Sequence, residues 1–476
     1  MSADTRLIER WLPIAALGEE SIRERRSMTS LPPTYYLHVW WARRPLIASR
    51  AAILASVLPG SASHQHFLHC IGIHGDPVAS RRRIDVAKRK GIRFEGEAYE
   101  YPRAFTYRMD PDDSKWFNAN AKTNAIVLDP TAGGGSIPFE SVRAGLSTVA
   151  NDLNPVSAVV LRATVDYPAR FGLELLPEFR RLAEMFVAKR EEAISDLYPT
   201  EPLPDCVPTN YLWTRTISCP YCDGLVPLSP NWRLNSDGVG VRVTPHHTSG
   251  NRRCTFEVVN SAKEHSEGTV TGGDAVCPFS DCGRVIKGEE IKVQAQAGQM
   301  GQQLYAVVYR HRVVVRTKSG KPKEKWVREF RSPRVEDDNV NLLAERMLEK
   351  NEEWQALDLV PDELFPDTAN DDRPIRYGMP RWRDFFAQRQ LLVHGISVQI
   401  YRELLEDERS NERLSDIRKA AFVYLALAID SYLNYGNMSC RWDSMTERVR
   451  SIFDRHDFAF CASYCEMALV LGALPN

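Results

Sequence analysis

Apolar and polar positions along this chain change period several times, and each change marks a different predicted element. Near the start, "YYLHVWWARRPLIASRAAILASVLPG" runs from a Trp- and Arg-rich segment into an apolar helix that Pro59 and Gly60 close. The text from 61 to 120 is polar and basic, with "SRRR" and "AKRK" set among few apolar residues, and reads as a surface insertion or hairpin. From 121 the pattern becomes strand, turn, helix, strand. "AIVLD" is a short buried-strand run, "SIPFESVRAGL" has helical spacing, and "STVANDLNP" is a second strand ending in an acid. That order predicts a βαβ unit of a doubly wound α/β sheet. A Glu- and Arg-rich helical stretch follows to about 200. A β-like segment punctuated by Cys, Gly and Pro spans 205–335, and a helical region spans 336–476. The predicted organisation is therefore 1–60, 61–120, 121–204, 205–335 and 336–476, with no internal repeat.

Composition narrows the functional classes. At 476 residues the chain exceeds what a single hydrophobic core supports, so more than one module is expected. Its 61 Lys and Arg balance 62 Asp and Glu, so any argument for nucleic acid must be local. The N-terminal "MSADTRLIERW" has no apolar h-region. The longest apolar run, "AAFVYLALAI", is about ten residues, where a spanning helix needs roughly 20. A soluble, cytoplasmic protein without a membrane partner is expected. Four of the ten cysteines form two close pairs, a pattern closer to metal binding than to a disulfide framework.

The turn in "NAIVLDPTAGGGSIPFE" carries three successive glycines, Gly133, Gly134 and Gly135, which let backbone N–H groups approach a ligand closely. A P-loop needs Lys and then Ser or Thr after its last Gly, but Ser136 and Ile137 follow Gly135. A dinucleotide fingerprint wants a third Gly where Pro138 stands, and leaves Asp129-Pro130 unexplained. S-adenosylmethionine fits better. Its sulfonium and ammonium are cationic and suit Asp129 at the first strand end, while its ribose offers two hydroxyls to Asp152 at the second. The alternative is a plain tight turn with Asp152 as a helix-capping acid.

"SCPYCDG" sets Cys219 and Cys222 two residues apart, and "VCPFSDCGR" sets Cys277 and Cys282 four apart, both within structural zinc spacings. The gap of about 54 residues between the pairs exceeds the usual ribbon spacing and requires a β insertion; Cys254, His246 and His247 lie inside it as possible substitutes. Four thiolates leave no open position, so such a metal would be structural. Tyr309 to Arg334 holds ten Lys or Arg against two Glu, with Tyr309, Trp326 and Phe330 interleaved; it is either a nucleic-acid surface or a solvated hairpin. His38, Trp40, Trp41, Arg43 and Arg44 are readable as a packed helix start with arginines facing water.

"LDPTAGGGSIPFE" followed by "NDLNPVS", with "LHVWWARRPL", "YLWTRTISCPYC", "YGMPRWRDFFAQRQLL" and "YLALAIDSYLNYGNMSCRWD", resembles the Zn-ribbon-containing adenine-specific DNA methylases that begin with a domain of unknown function. The resemblance covers most of the chain. It implies a Rossmann-like methyltransferase core with an inserted Zn ribbon and a helical C-terminal region. It also implies DNA as substrate, S-adenosylmethionine as cofactor, and a setting in restriction-modification or phage defence. Asp129, Pro130, Thr131, Ala132, Gly133, Gly134 and Gly135 would form the cofactor loop, with Asp152 as the ribose acid and Asn154 beside it. His38 through Arg44 would shape the cofactor or base pocket. Amino-methyltransferases use an Asp, Asn or Ser followed by Pro-Pro and an aromatic residue to hold the flipped base. The one Pro-Pro here, "LPPT", has Leu31 and Thr34 at the flanking places, and no Pro-Cys suggests a C5-cytosine nucleophile. In the family the missing motif lies beyond the region matching "FDRHDFAFCASYCEMA". No catalytic residue is therefore assigned. The chain is expected to be the cofactor-binding portion, inactive alone, and either completed by a second chain or a truncated gene product. The alternative is a non-catalytic, zinc-containing nucleic-acid-binding or scaffold subunit.

Overall fold

A computed structural model describes residues 4–26, 30–40, 42–94, 96–248, 251–316, 320–367, 371–455 and 457–469. The chain mixes helices and sheets and divides into two compact units, Met1–Leu182 with Leu414–Ala428, and Ala183–Arg413 with Ile429–Asn476. Among the described residues no helix is long and apolar enough to cross a membrane.

The first unit opens with helices α1 (Leu7–Arg10), α2 (Ile14–Glu24), α3 (Thr34–Leu37), α4 (Leu46–Val57), α5 (His64–Cys70), α6 (Pro77–Arg89) and α7 (Pro111–Asn120). The stretch 61–120 is thus helical and not a hairpin. Its helices start at local signals that the basic runs obscured. Ser63 caps α5, Asp76 caps α6 with Pro77 following, and Asp110 caps α7 with Pro111 following. Nor is it peripheral, since Phe67, Cys70 and Phe117 are buried in one core with Leu7, Ile47 and Leu54.

Next come β1 (Ile126–Asp129), α8 (Ser136–Arg143) and β2 (Ser147–Ala150), with β1 and β2 parallel in the register Ile126↔Ser147 to Asp129↔Ala150. Helix α8 reaches β2 through Ser141 and Thr148, whose hydroxyls are 2.7 Å apart. Side chains alternate along a strand, so Ile126, Leu128 and Val149 share the opposite face, and all three are exposed. Helices α9 (Pro155–Leu161), α10 (Tyr167–Phe171) and the first turns of α11 (Leu175–Ile194) complete this unit.

The second unit is organised by a five-stranded antiparallel sheet. Its strands β3 (Cys206–Ser218), β4 (Leu225–Leu228), β10 (Gly301–Arg316), β11 (Pro322–Arg331) and β14 (Ser463–Met467) run in the order β11-β10-β3-β14, with β4 also on β3. Both faces are covered. Tyr211, Trp213, Val307 and Tyr464 pack with Leu343 and Trp354 of α13 (Val340–Ala356), which follows α12 (Gly288–Gln296), and with Leu392 and Val393 of α15 (Gln388–Ser410), which follows α14 (Arg373–Arg376). On the other face Leu212, Ala306, Val308 and Cys465 pack with Trp232 and with Val241 of the hairpin β5 (Gly240–Thr248) and β6 (Asn251–Val259). Arg389 and Glu466, each 1 % exposed, form a bidentate pair at 2.7 and 2.9 Å, and Trp213 Nε1 donates to Glu466 at 2.7 Å. The region after 336 is helical through α16 (Asp416–Leu433) but then turns to strand: β12 (Arg441–Asp443), β13 (Arg448–Arg450) and β14. Pairing with the distant β3, and not local propensity, makes β14 a strand.

Candidate cofactor loop and cysteine cluster

The glycine turn is held from both strand ends. Gly133 and Gly135 adopt φ of +52° and +82°, a left-handed conformation in which a Cβ is disfavoured. Gly135 N–H donates to the Ala132 carbonyl at 2.8 Å, and Ala132 N–H donates to that of Asn151 at 2.9 Å. Gly133 N–H donates to Asp152 Oδ2 at 2.7 Å, and the Gly133 carbonyl accepts from Ser157 Oγ at 2.7 Å. Asn154 N–H donates to Asp152 Oδ1 at 2.8 Å, so the N–H groups of Asn154 and Gly133 hold the Asp152 carboxyl below the usual carboxylate range. Asn154, not Asp152, caps α9, accepting from Val156 N–H at 2.9 Å. Asp129 ends β1 and is 5 % exposed; its Oδ1 accepts from Thr131 N–H at 3.2 Å, across Pro130. Among the described residues no Lys, Arg or His lies within ion-pair distance of it.

The sequence does not reveal what covers this turn. A Cβ on Gly133 would lie 2.7 Å from Trp40 Nε1, and one on Gly134 would lie 3.3 Å from both Arg43 Cγ and the Trp40 ring. The glycines are thus required by backbone conformation and by the close approach of Trp40. Arg43 is buried; its guanidinium donates to the Thr34 and His38 carbonyls and lies over the Tyr35 ring, and burial lowers its pKa to about 10. Arg44 is exposed, and Trp41 lies outside the described residues. Arg50 of α4 pairs with Glu140 of α8 at 2.7 Å and donates to the Ile71, Ala104 and Phe105 carbonyls, so the N-terminal helices fix the helix that follows the turn.

In the second unit, Cys219 and Cys222 sit on a knuckle between β3 and β4. Cys277 and Cys282 sit on another between β8 (Asp274–Val276) and β9 (Val285–Ile286), a small sheet completed by β7 (Val270–Thr271). Cys219 and Cys282 sulfurs are 3.8 Å apart, those of Cys222 and Cys277 3.7 Å, and all four lie within 4.8 Å of one another. A disulfide needs about 2.05 Å, so these are four free thiols, close enough together to hold one metal ion. Phe279 of the second knuckle packs so tightly on Gly224 of the first that a Cβ there would lie 2.4 Å away. The gap between the pairs is filled by the β5–β6 hairpin. His246 and Cys254 serve elsewhere: His246 Nε2 meets Thr255 Oγ1 at 2.7 Å, and Cys254 is a core residue whose thiol burial pushes up to about 12. His247 is exposed on β5 and does not join the four clustered cysteines. A second group, His69, Asp110 and Asp113, is accounted for by hydrogen bonds joining α5 to α7, with His69 Nδ1 and Asp113 Oδ2 at 2.8 Å.

Residues 11–70 match a family described as a protein of unknown function (DUF1156). That stretch includes α2 to α5 and the Trp40 and Arg43 that stand on the glycine turn. No curated protein and no solved structure matches the chain.

Proposed function

We propose that this chain is the cofactor-binding part of an S-adenosylmethionine-dependent DNA methyltransferase that acts on an exocyclic amine, adenine N6, like the Zn-ribbon-containing adenine-specific methylases it resembles. One observation carries the reading: Asp129 is a buried carboxylate with, among the described residues, no cation beside it, at the end of a parallel strand next to a glycine turn. An uncompensated buried anion is costly, and a ligand carrying positive charge relieves it. The methionine end of S-adenosylmethionine supplies that charge. When bound, the cofactor contributes an electrophilic methyl group. Gly133 to Gly135 would admit it closely, and Asp152, held by the Gly133 and Asn154 N–H groups, would accept from its ribose hydroxyls.

In this reading β1–α8–β2 belongs to a Rossmann-like core, and a structural zinc joins the cysteine knuckles into a ribbon. Tetrahedral ligands at 2.3 Å from zinc lie about 3.8 Å apart, close to the sulfur spacings here. The exposed Ile126, Leu128 and Val149 face is where elements of a second chain would pack, while its strands extend the sheet at the edge and bring the base-holding motif. A place in restriction-modification or phage defence follows from the resemblance alone.

A second reading, a non-catalytic zinc-containing scaffold or nucleic-acid-binding subunit, is favoured by Trp40, which already stands against Gly133 and Gly134. Labelled-methyl transfer to DNA separates the two. The chain alone is expected to transfer none, and adding a chain that carries Asp-Pro-Pro-Tyr is expected to start transfer. A chain that binds no methyl donor and supports no transfer in any combination is the scaffold.

A further inference from the structure

Strands β10 and β11 pair from Val307↔Arg331 to Arg316↔Pro322, but β3 accompanies β10 only as far as His311. Arg312 N–H still donates to the Asp205 carbonyl at 2.9 Å; beyond it, among the described residues, the hairpin is a two-stranded ribbon without a third strand. Val313 to Arg316 at about 3.4 Å per residue makes it about 14 Å long. Thr317, Lys318 and Ser319 lie outside the described residues.

The register sorts its side chains into two faces. One carries Phe330, then Arg310 directly opposite Arg328, Arg312 opposite Trp326, Val314 opposite Glu324, and Arg316 further out, with Glu324 3.7 Å from Arg312. The other carries Tyr309, Glu329, His311, Lys325 and Lys323. On the first face Arg312 is paired with Asp205, and Arg328 meets Glu447 at 3.3 Å. Arg310 has no carboxylate within ion-pair distance among the described residues, although it is only partly exposed. Like charges directly opposite one another destabilise a strand pair. Burial, and then the facing Arg328, lower the Arg310 pKa. Aromatic rings bracket this pair: Trp326, 40 % exposed, on the distal side, and Phe330 with Trp442 on the proximal side, where Trp442 lies under the Arg328 guanidinium. Two arginines opposite one another, only one of them paired with an acid among the described residues, between flat side chains, make a charge pattern that a phosphodiester would neutralise.

We propose that the β10–β11 ribbon docks on duplex DNA, with Arg310 and Arg328 sharing a backbone phosphate and the distal ribbon lying in the major groove. A groove about 12 Å wide accepts a two-stranded ribbon. Arg316, further out on the same face, supplies a further cation for a flanking phosphate. The proposal deepens the proposed function in taking DNA as the partner. Its test needs no methyl donor, so its failure leaves the cofactor-loop reading standing.

Fluorescence anisotropy of a labelled duplex of about 20 base pairs, titrated with the full chain over a range of salt, reads the interaction. The Arg310→Gln/Arg328→Gln variant is expected to bind at least about tenfold more weakly at low salt. Its log affinity against log salt should be shallower by about 0.9, the change expected for the one phosphate contact the pair shares. Arg310→Gln alone should keep or raise the melting temperature, since it relieves a like-charge contact. An unchanged affinity and salt slope overturns the proposal, as does a lower melting temperature for Arg310→Gln, which would mark a structural arginine. Tighter binding to a single strand than to the duplex overturns the groove fit.

Discussion

In the parallel pair β1–β2, Ile126, Leu128 and Val149 leave 68, 65 and 53 % of their surface to water, whereas Tyr211, Leu212, Val307 and Val308 of the antiparallel sheet leave none. The second sheet finds its cover within the chain, α13 and α15 on one face and the β5–β6 hairpin on the other. The first has α8 on one face and, among the described residues, no third strand. Antiparallel sheets tolerate one wet face, but parallel strands ordinarily lie buried on both. Each large apolar side chain left out forgoes roughly 1.5 to 3 kcal/mol of burial. The contrast separates a sheet that holds its own unit together from a pair of strands whose main product is a glycine turn and two acids.

The largest predicted effect acts on the self-sufficient unit. Structural zinc contributes on the order of 10 kcal/mol to small sites. Stripping the metal with a chelator, or replacing Cys277 by Ser, should release one equivalent of zinc and lower the melting temperature of the second unit by ten degrees or more. The first unit's transition should stay in place. A chain that holds no metal and melts unchanged after chelation breaks the comparison.

The next effect is set by pH. Burial pushes the His394 pKa down to about 4 from the ordinary 6.5, and its neutral ring donates Nε2–H to the Gly436 carbonyl at 2.9 Å. Arg190 also disfavours the charged ring and Asp430 weakly favours it. Between pH 6.5 and 4 the unfolded chain takes up a proton that the folded one refuses, so stability falls as the pH drops through that window, by about 3 kcal/mol at its end. Thermal melts of His394→Gln should be flatter over the same range.

How much of this was legible follows from distance along the chain. The β1–turn–α8–β2 order and the two cysteine pairs are local patterns, and both stand where the sequence suggests. The caps at Ser63, Asp76 and Asp110 were equally local, but the arginine and lysine runs between them outweighed them. Trp40 on Gly133, and Arg50 on Glu140, join segments some 90 residues apart, and no spacing rule reaches that far. The opposition of Arg310 and Arg328 required the register of the hairpin. Strand β14, five residues long, exists through pairing with residues about 250 positions earlier.

The smallest predicted effect sharpens the comparison between the sheets. Leu128→Lys, on the bare face, should change stability by no more than about 0.5 kcal/mol, whereas Val307→Lys, fully buried, should cost more than about 4 kcal/mol. Leu128→Lys should still abolish association with a completing chain, read by co-purification. If it destabilises the isolated chain as Val307→Lys does, the face is covered and no second chain is needed.

The most direct test of the buried carboxylate is calorimetry of the full chain with S-adenosylmethionine, wild type against Asp129→Asn, which keeps the shape and removes the charge. One site is expected, with the variant binding at least about tenfold more weakly at an unchanged melting temperature. No heat of binding, or an affinity that the substitution leaves untouched, would contradict the account.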